Sequence, residues 1–258
     1  MQITTDKRPS AVRHGAAGIA FAAVLAAATV TATGVAGAAG AAGPAPSYDF
    51  GDCPALPAGV DAARWKCEVL TATGSLTLGS RTLPELAPMT ITHAEGPLPD
   101  GAAGQVWGAL RGGPTDVPGG ILGVPAGHPN PRLGRLSLQP EYGGRSDFYS
   151  VGDDMGLFTL RFRAIGPALP DGCVIGAGET PIEIRLKRTG KSQWVSKNPP
   201  VIKFDARDDT FTAPAATGCG PLGRLLNDRL GLPSATGNSI ALSAHYTFKT
   251  YDQLPPRA

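Results

Sequence analysis

The sequence lacks the motifs that indicate nucleotide or cofactor binding, and it contains few charged residues. It contains no P-loop, no dinucleotide fingerprint and no GxSxG nucleophile elbow, and no 20–50-residue repeat is visible. Charged residues make up only 17% of the chain, too few for a disordered polyelectrolyte. After the first forty residues no apolar run is long enough to span a bilayer. We therefore expect a folded domain with no cofactor.

The first 38 residues have the features of a secretory signal peptide. Lys7, Arg8 and Arg13 precede an uncharged stretch over residues 15–38, which ends on the small residues Ala36-Gly37-Ala38. The alternative is an uncleaved membrane anchor. Cleavage would leave equal numbers of basic and acidic residues, so the electrostatic basis for a nucleic-acid-binding role is lost. We expect a secreted or cell-surface, cell-wall-associated protein, with a Pro/Ala-rich linker over residues 39–52.

The four cysteines, Cys53, Cys67, Cys173 and Cys219, all follow the signal peptide. None forms a CxxC pair and no histidine is spaced to complete a zinc site, so no metal site is predicted. An even number of cysteines in an exported chain indicates disulfides, of which three pairings are possible. We favour Cys53–Cys67 and Cys173–Cys219, because each pair brackets a local unit.

The last third of the chain gives the clearest structural signals. Polar and apolar residues alternate from Ser239 to Tyr251 and from Pro181 to Arg188, as in half-buried strands. Between them, leucines at helical spacing predict one short helix over residues 221–230, which Gly231 and Pro233 would end.

Glycine (35) and proline (25) are abundant, which predicts many turns and short strands. Nine or ten strand patterns are present, and residues 201–205 and 210–213 resemble a hairpin. The fold class predicted is mainly β: an antiparallel β-sandwich stabilised by disulfides, with one short helix. It would form a single domain over residues 53–258, and the alternative is two β subdomains divided near 112–131 or 164–172.

One segment resembles a known group of proteins. The runs Gly172-Cys173-Val174-Ile175-Gly176 and Gly218-Cys219-Gly220, with the later stretch at residues 231–238, are similar to exported actinobacterial proteins of unknown function. The similarity covers mainly residues 170–250. It implies secretion and a Cys173–Cys219 bridge, and it carries no activity.

Three histidines follow the signal peptide: His93, His128 and His245. His245 shares a strand face with Ser243, and Asp205 could lie on a neighbouring strand, which is the minimum for a hydrolase. A solvent-facing strand histidine is the alternative. Calcium could bind at Asp153-Asp154 or around Asp205, Asp208 and Asp209, but turns also favour aspartate and neither cluster matches an EF-hand.

The most asymmetric segment is basic, and it extends from Lys187 to Lys203 without an acidic residue. Its candidate surface-binding residues are Lys187, Arg188, Lys191, Trp194, Lys197 and Lys203. A basic loop with an exposed aromatic could contact an anionic cell-wall polymer or a lipid surface. The alternative is a solvated loop with Trp194 folded back onto the sheet.

These observations favour a non-enzymatic exported protein with a binding or structural role at or outside the cell surface. A first alternative is a carrier of an apolar ligand between its sheets, which requires a large internal cavity. A second is a secreted hydrolase, which requires His245 or His93 within hydrogen-bond reach of a serine or aspartate in a cleft.

Overall fold

The computed structural model describes residues 48–124, 134–149 and 151–256. The predicted signal peptide, most of the predicted linker, His128 and the end of the Gly/Pro-rich stretch 112–131 lie outside the described residues. The division of the chain into domains stays a prediction.

Thirteen strands form one antiparallel sheet in the described residues. They are β1 (Lys66–Leu78), β2 (Arg81–Leu83), β3 (Met89–Pro97), β4 (Ala103–Gly112), β5 (Thr115–Asp116), β6 (Ser137–Asp147), β7 (Asp154–Ile165), β8 (Val174–Ile175), β9 (Ile182–Arg188), β10 (Gln193–Lys197), β11 (Pro200–Asp208), β12 (Ala216–Thr217) and β13 (Ser239–Thr250). The helix is α1 (Gly223–Leu230), and short 3-10 turns occupy Ala62–Arg64, Gly220–Leu222 and Tyr251–Gln253.

The long strand β13 lies at the centre of the sheet. It pairs with β1 on one side and β11 on the other, and the main order of strands is β12-β8-β7-β9-β11-β13-β1-β3-β4. Strand β6 pairs with β7, outside that path. The alternation read from the sequence is confirmed in β13, where Ile240, Leu242 and Ala244 are buried on one face.

The sheet curves until β4 and β6 meet, although they are not hydrogen-bonded neighbours in the strand ladder. The Trp107 ring stacks on Tyr142 with centroids 3.8 Å apart, and Gln139 donates a hydrogen bond to the Gly112 carbonyl at 2.8 Å. The inward faces of the curved sheet enclose an apolar core. The architecture is therefore mainly β and sandwich-like, as predicted.

Both favoured disulfides are present, Cys53–Cys67 and Cys173–Cys219. Cys219 directly precedes the turn that leads into α1, so its bond to Cys173 ties the helix to the edge of the sheet. Leu226 and Leu230 bury the inner face of α1, and Gly231 ends it in the left-handed conformation at φ 70°. Disulfides indicate an oxidising, extracytoplasmic environment.

One predicted pairing is wrong. Residues 201–205 do not form a hairpin with 210–213. Instead β11 forms its hairpin with β10, inside the segment that the sequence suggested was a loop. Asp208 accounts for the difference, because its carboxylate accepts hydrogen bonds from the Thr210 backbone and hydroxyl and turns the chain away.

None of the helices in the described part of the chain is both long enough and apolar enough to cross a membrane.

Candidate functional site: an interior cavity

The inward face of the curved sheet lines a cavity of about 490 Å³ that is partly open to solvent. Six strands, β1, β3, β7, β9, β11 and β13, contribute to its wall through their inward-facing residues. Most of the lining is apolar: Leu70, Ile91, Phe148, Met155, Phe158, Leu186, Ile202, Phe204, Leu242, Ala244 and Tyr246. Both the volume and the lining are in the range typical of small-molecule sites.

A polar group interrupts this apolar wall where β1 and β3 lie side by side. Glu68 on β1 is in register with His93 on β3, and Glu95 follows His93 on the same strand face. Each of the three side chains offers one ligand atom, and those atoms lie within 4.8 Å of one another. Glu68 and His93 are both buried.

Burial controls the protonation of Glu68 and His93. Removal from water, together with the nearby Glu95 carboxylate, raises the pKa of Glu68 to about 8. Removal from water also lowers the pKa of His93 to about 4. Burial with the two nearby carboxylates raises the pKa of Tyr246, whose ring lines the same cavity.

Two side chains in the cavity wall carry buried polar atoms without a hydrogen-bond partner among the described residues. These atoms are Nδ1 of His93 and Nε of Arg188. Buried polar groups are nearly always paired in native proteins, so an unpaired one needs an explanation such as a ligand or an ion. Their presence in one cavity makes this cavity the strongest candidate site.

A larger groove, of about 1010 Å³, lies on the outward face of β1, β11 and β13. Its lining includes Ser243 on β13 and Asp205 on β11, which are in register. None of the residues that line it carries a buried polar atom without a hydrogen-bond partner among the described residues. His245 lies two residues beyond Ser243, opposite Lys203 and Thr71. Among the described side chains no hydrogen bond joins His245 to Ser243 or Asp205, so the structure does not assemble a hydrolytic triad there.

The other suggested histidine, His93, has glutamates rather than a serine or aspartate beside it. Two of the acidic residues suggested for calcium, Asp208 and Asp209, are engaged elsewhere. Asp208 accepts the Arg185 and Thr210 backbone N–H groups, and Asp209 forms an ion pair with Arg207 at 2.8 Å.

The six residues of the basic segment do not share one environment. Arg188 lines the interior cavity, Lys203 is half-buried, and Lys187 is exposed and lies 4.0 Å from Asp154. Lys191 and Lys197 are exposed at the β10 hairpin. Trp194 is 57% exposed and is paired with Ile202, a residue of the cavity wall.

Sequence reasoning missed the group at Glu68, His93 and Glu95. The one available signal was the spacing His93-x-Glu95 in a strand pattern, since residues two apart share a face. Glu68 is 25 positions away, and only the β1–β3 register brings it opposite His93.

Comparison with known proteins gives no match: no family model, curated protein or solved structure is significantly similar to the chain.

Proposed function

We propose that this protein is an exported, non-enzymatic binding protein that holds an apolar ligand with a polar head inside its curved sheet. The observation that carries the proposal is the 490 Å³ interior cavity lined mainly by apolar side chains of six strands. This is the feature that separates a ligand carrier from a purely structural exported protein. The two disulfides and the signal-peptide pattern at residues 1–38 support export.

Arg188 supports a ligand that carries a hydrogen-bond acceptor. Its buried Nε has no partner among the described residues, and a guanidinium pairs best with a carboxylate or a similar oxygen acceptor. A long-chain carboxylic acid combines such a head with an apolar body, and we take it as the test ligand.

The experiment is a fluorescence titration with cis-parinaric acid, a polyene fatty acid that becomes emissive in apolar surroundings. We expect saturable binding of one probe per protein. Ala244 lines the cavity, whereas Ala241 on the same strand is exposed on the opposite face. Ala244→Leu should weaken binding by about tenfold or more, because added carbons fill space that the ligand needs, and Ala241→Leu should leave it unchanged.

Recognition of the ligand's polar head is tested by replacing Arg188 on β9. Arg188→Met should weaken binding of the acid but not of the corresponding long-chain alcohol. Arg185→Met removes the same charge from the exposed face of β9 and serves as the control. Leu70→Phe is a milder filling variant should Ala244→Leu unfold. Absence of saturable binding to the wild-type protein, or equal binding by all variants, would refute the proposal.

A second candidate function is contact with an anionic cell-wall polymer or lipid surface through the β10 hairpin. The favouring observation is that Trp194 and Val195 are 57% and 53% exposed beside Lys191 and Lys197. Replacing Lys187, Lys191, Lys197 and Lys203 with glutamine should abolish retention on anionic cell-wall material or vesicles at low salt. Replacing Arg64, Arg161, Arg207 and Arg224 with glutamine removes the same charge elsewhere and should leave retention unchanged. If the lysine variant is retained as well as the wild type, this function is ruled out.

A further inference from the structure

We infer that Glu68, His93 and Glu95 form a binding site for a divalent transition metal, with Zn²⁺ as the reference ion, in the wall of the interior cavity. The three side chains come from two adjacent strands, so their positions are fixed by a regular ladder rather than by a loop. Their ligand atoms already lie within 4.8 Å of one another.

The spacing of the donors suits a small tetrahedral ion. Nitrogen and oxygen ligands lie about 2.0–2.2 Å from Zn²⁺, which places neighbouring ligands about 3.4 Å apart. Nε2 of His93 lies 3.6 Å from Oε2 of Glu68. This separation is too long for a hydrogen bond but matches the edge of a zinc tetrahedron. Glu95 offers the third ligand atom, within 4.8 Å of the other two.

The donors of the site also suit a cation. Glu68 and Glu95 place two carboxyl groups side by side, and a metal ion would take the place of the proton between them. Lys66 acts on Glu68 through its charge, but its Nζ lies 5.0 Å above the Phe248 ring, and no described salt bridge joins it to either carboxylate. A divalent ion with two carboxylates and one neutral imidazole would give a site without net charge.

The imidazole of His93 is a second, independent observation. The residue is only 7% exposed, and its Nδ1 is buried without a hydrogen-bond partner in the described residues. Its ring packs against Phe148 with centroids 4.5 Å apart, and the cavity lies on the same side. The other ring nitrogen, Nε2, faces Oε2 of Glu68 beyond hydrogen-bond distance, and coordination of a metal by Nε2 would give this buried imidazole a partner while Nδ1 keeps the ring proton.

The donor set selects the class of metal. Imidazole with carboxylates suits zinc and other first-row divalent ions, whereas calcium and magnesium require six or more oxygen donors. Three protein ligands leave one position of a tetrahedron open. All three line the cavity, so that open position faces the space available to a ligand.

The experiment is isothermal titration calorimetry of the purified, untagged and chelator-treated protein with Zn²⁺ alone, without any apolar ligand. We expect one Zn²⁺ per chain, and weaker binding of Ca²⁺ and Mg²⁺. Glu68→Gln, His93→Gln and Glu95→Gln should each weaken Zn²⁺ binding by more than about tenfold, since even outer-shell partners are worth that much. Co²⁺ in the same site should give the intense visible absorption of tetrahedral coordination.

Two controls match the ligands in residue type. His245→Gln changes a histidine on the outward face of β13, and Glu85→Gln changes an exposed glutamate. Both should bind Zn²⁺ as the wild type does. Thermal unfolding of the three ligand variants without metal shows whether they fold, and a folded variant that binds Zn²⁺ normally would overturn the assignment, as would a wild type that does not bind.

The result separates this site from the proposed carrier function. Ala244→Leu should impair binding of the fatty-acid probe and leave Zn²⁺ binding intact. Conversely, loss of Zn²⁺ binding in the three ligand variants stands as evidence for the metal site even if no apolar ligand binds at all.

Discussion

Nε2 of His93 lies 3.6 Å from Oε2 of Glu68, yet the two side chains are not an ion pair at neutral pH. Burial raises the pKa of Glu68 to about 8 and lowers that of His93 to about 4, so between these values the acid is protonated and the imidazole is neutral. Distance alone would suggest a salt bridge. Burial outweighs this proximity, because neither charged form is stabilised enough to offset its loss of hydration.

The first prediction concerns the stability of the metal-free protein against pH. The folded state keeps the Glu68 proton between its ordinary pKa of 4.5 and about 8, so this group lowers stability as pH rises through that window. Between about pH 4 and 6.5, His93 is neutral in the folded state but protonated in the unfolded state. This group therefore makes the protein more stable as pH rises through that window. The two effects oppose each other between 4.5 and 6.5.

Above pH 6.5 the Glu68 effect remains alone. The free energy of unfolding, measured by urea denaturation with chelator present, should fall between pH 6.5 and 8 by about 2 kcal/mol. Glu68→Gln should flatten this part of the curve. His93→Gln should leave it unchanged and extend the fall down to about pH 4.5, because the opposing effect of His93 is then absent. An unchanged slope in Glu68→Gln would show that another group is responsible.

A second prediction compares the two disulfides. The Cys173–Cys219 bridge joins residues 46 apart and Cys53–Cys67 joins residues 14 apart. Chain-entropy arguments give a loss of about 4 kcal/mol for the first and about 3 kcal/mol for the second when each pair is replaced with alanine. Denaturant titration of the two double variants checks this order, and the reverse order would contradict the entropic explanation.

A third prediction concerns Asn238, which is 1% exposed. Its Oδ1 accepts the Gly79 backbone N–H at 2.8 Å, and its Nδ2 donates to the carbonyls of Phe211 and Ser234. Asn238→Ala would leave the Gly79 N–H and the Phe211 carbonyl without this partner and should cost about 2–4 kcal/mol, whereas the Ser234 carbonyl keeps its hydrogen bond from the Ala213 N–H. Gln193→Ala, at an exposed polar position, should cost under about 0.5 kcal/mol in the same assay.

A fourth prediction concerns the contact between β4 and β6. Trp107 and Tyr142 stack 3.8 Å apart with an interplanar angle of 8°. A double-mutant cycle with Trp107→Leu and Tyr142→Leu should show a coupling energy of about 0.5–1.5 kcal/mol. Additive single effects would mean that the stack does not help to hold the two strands together.

Local sequence patterns predicted the elements but only part of their pairing. Alternation in β9 and β13 was readable because one face of each strand is buried, and the leucine spacing with Gly231 located the helix. The partner of β11 was not readable, because turn signals occurred on both sides of that strand and only tertiary contacts selected β10.

By itself the sequence determined the class of the molecule: an export signal pattern, an even number of cysteines, and many short strands with one helix. These features depend on neighbouring residues, so a linear pattern is enough to reveal them. The cavity and its polar group were decided by the tertiary structure. Glu68 meets His93 only through strand register, and Arg188 lies in the cavity wall rather than with the exposed lysines because the sheet curves around it.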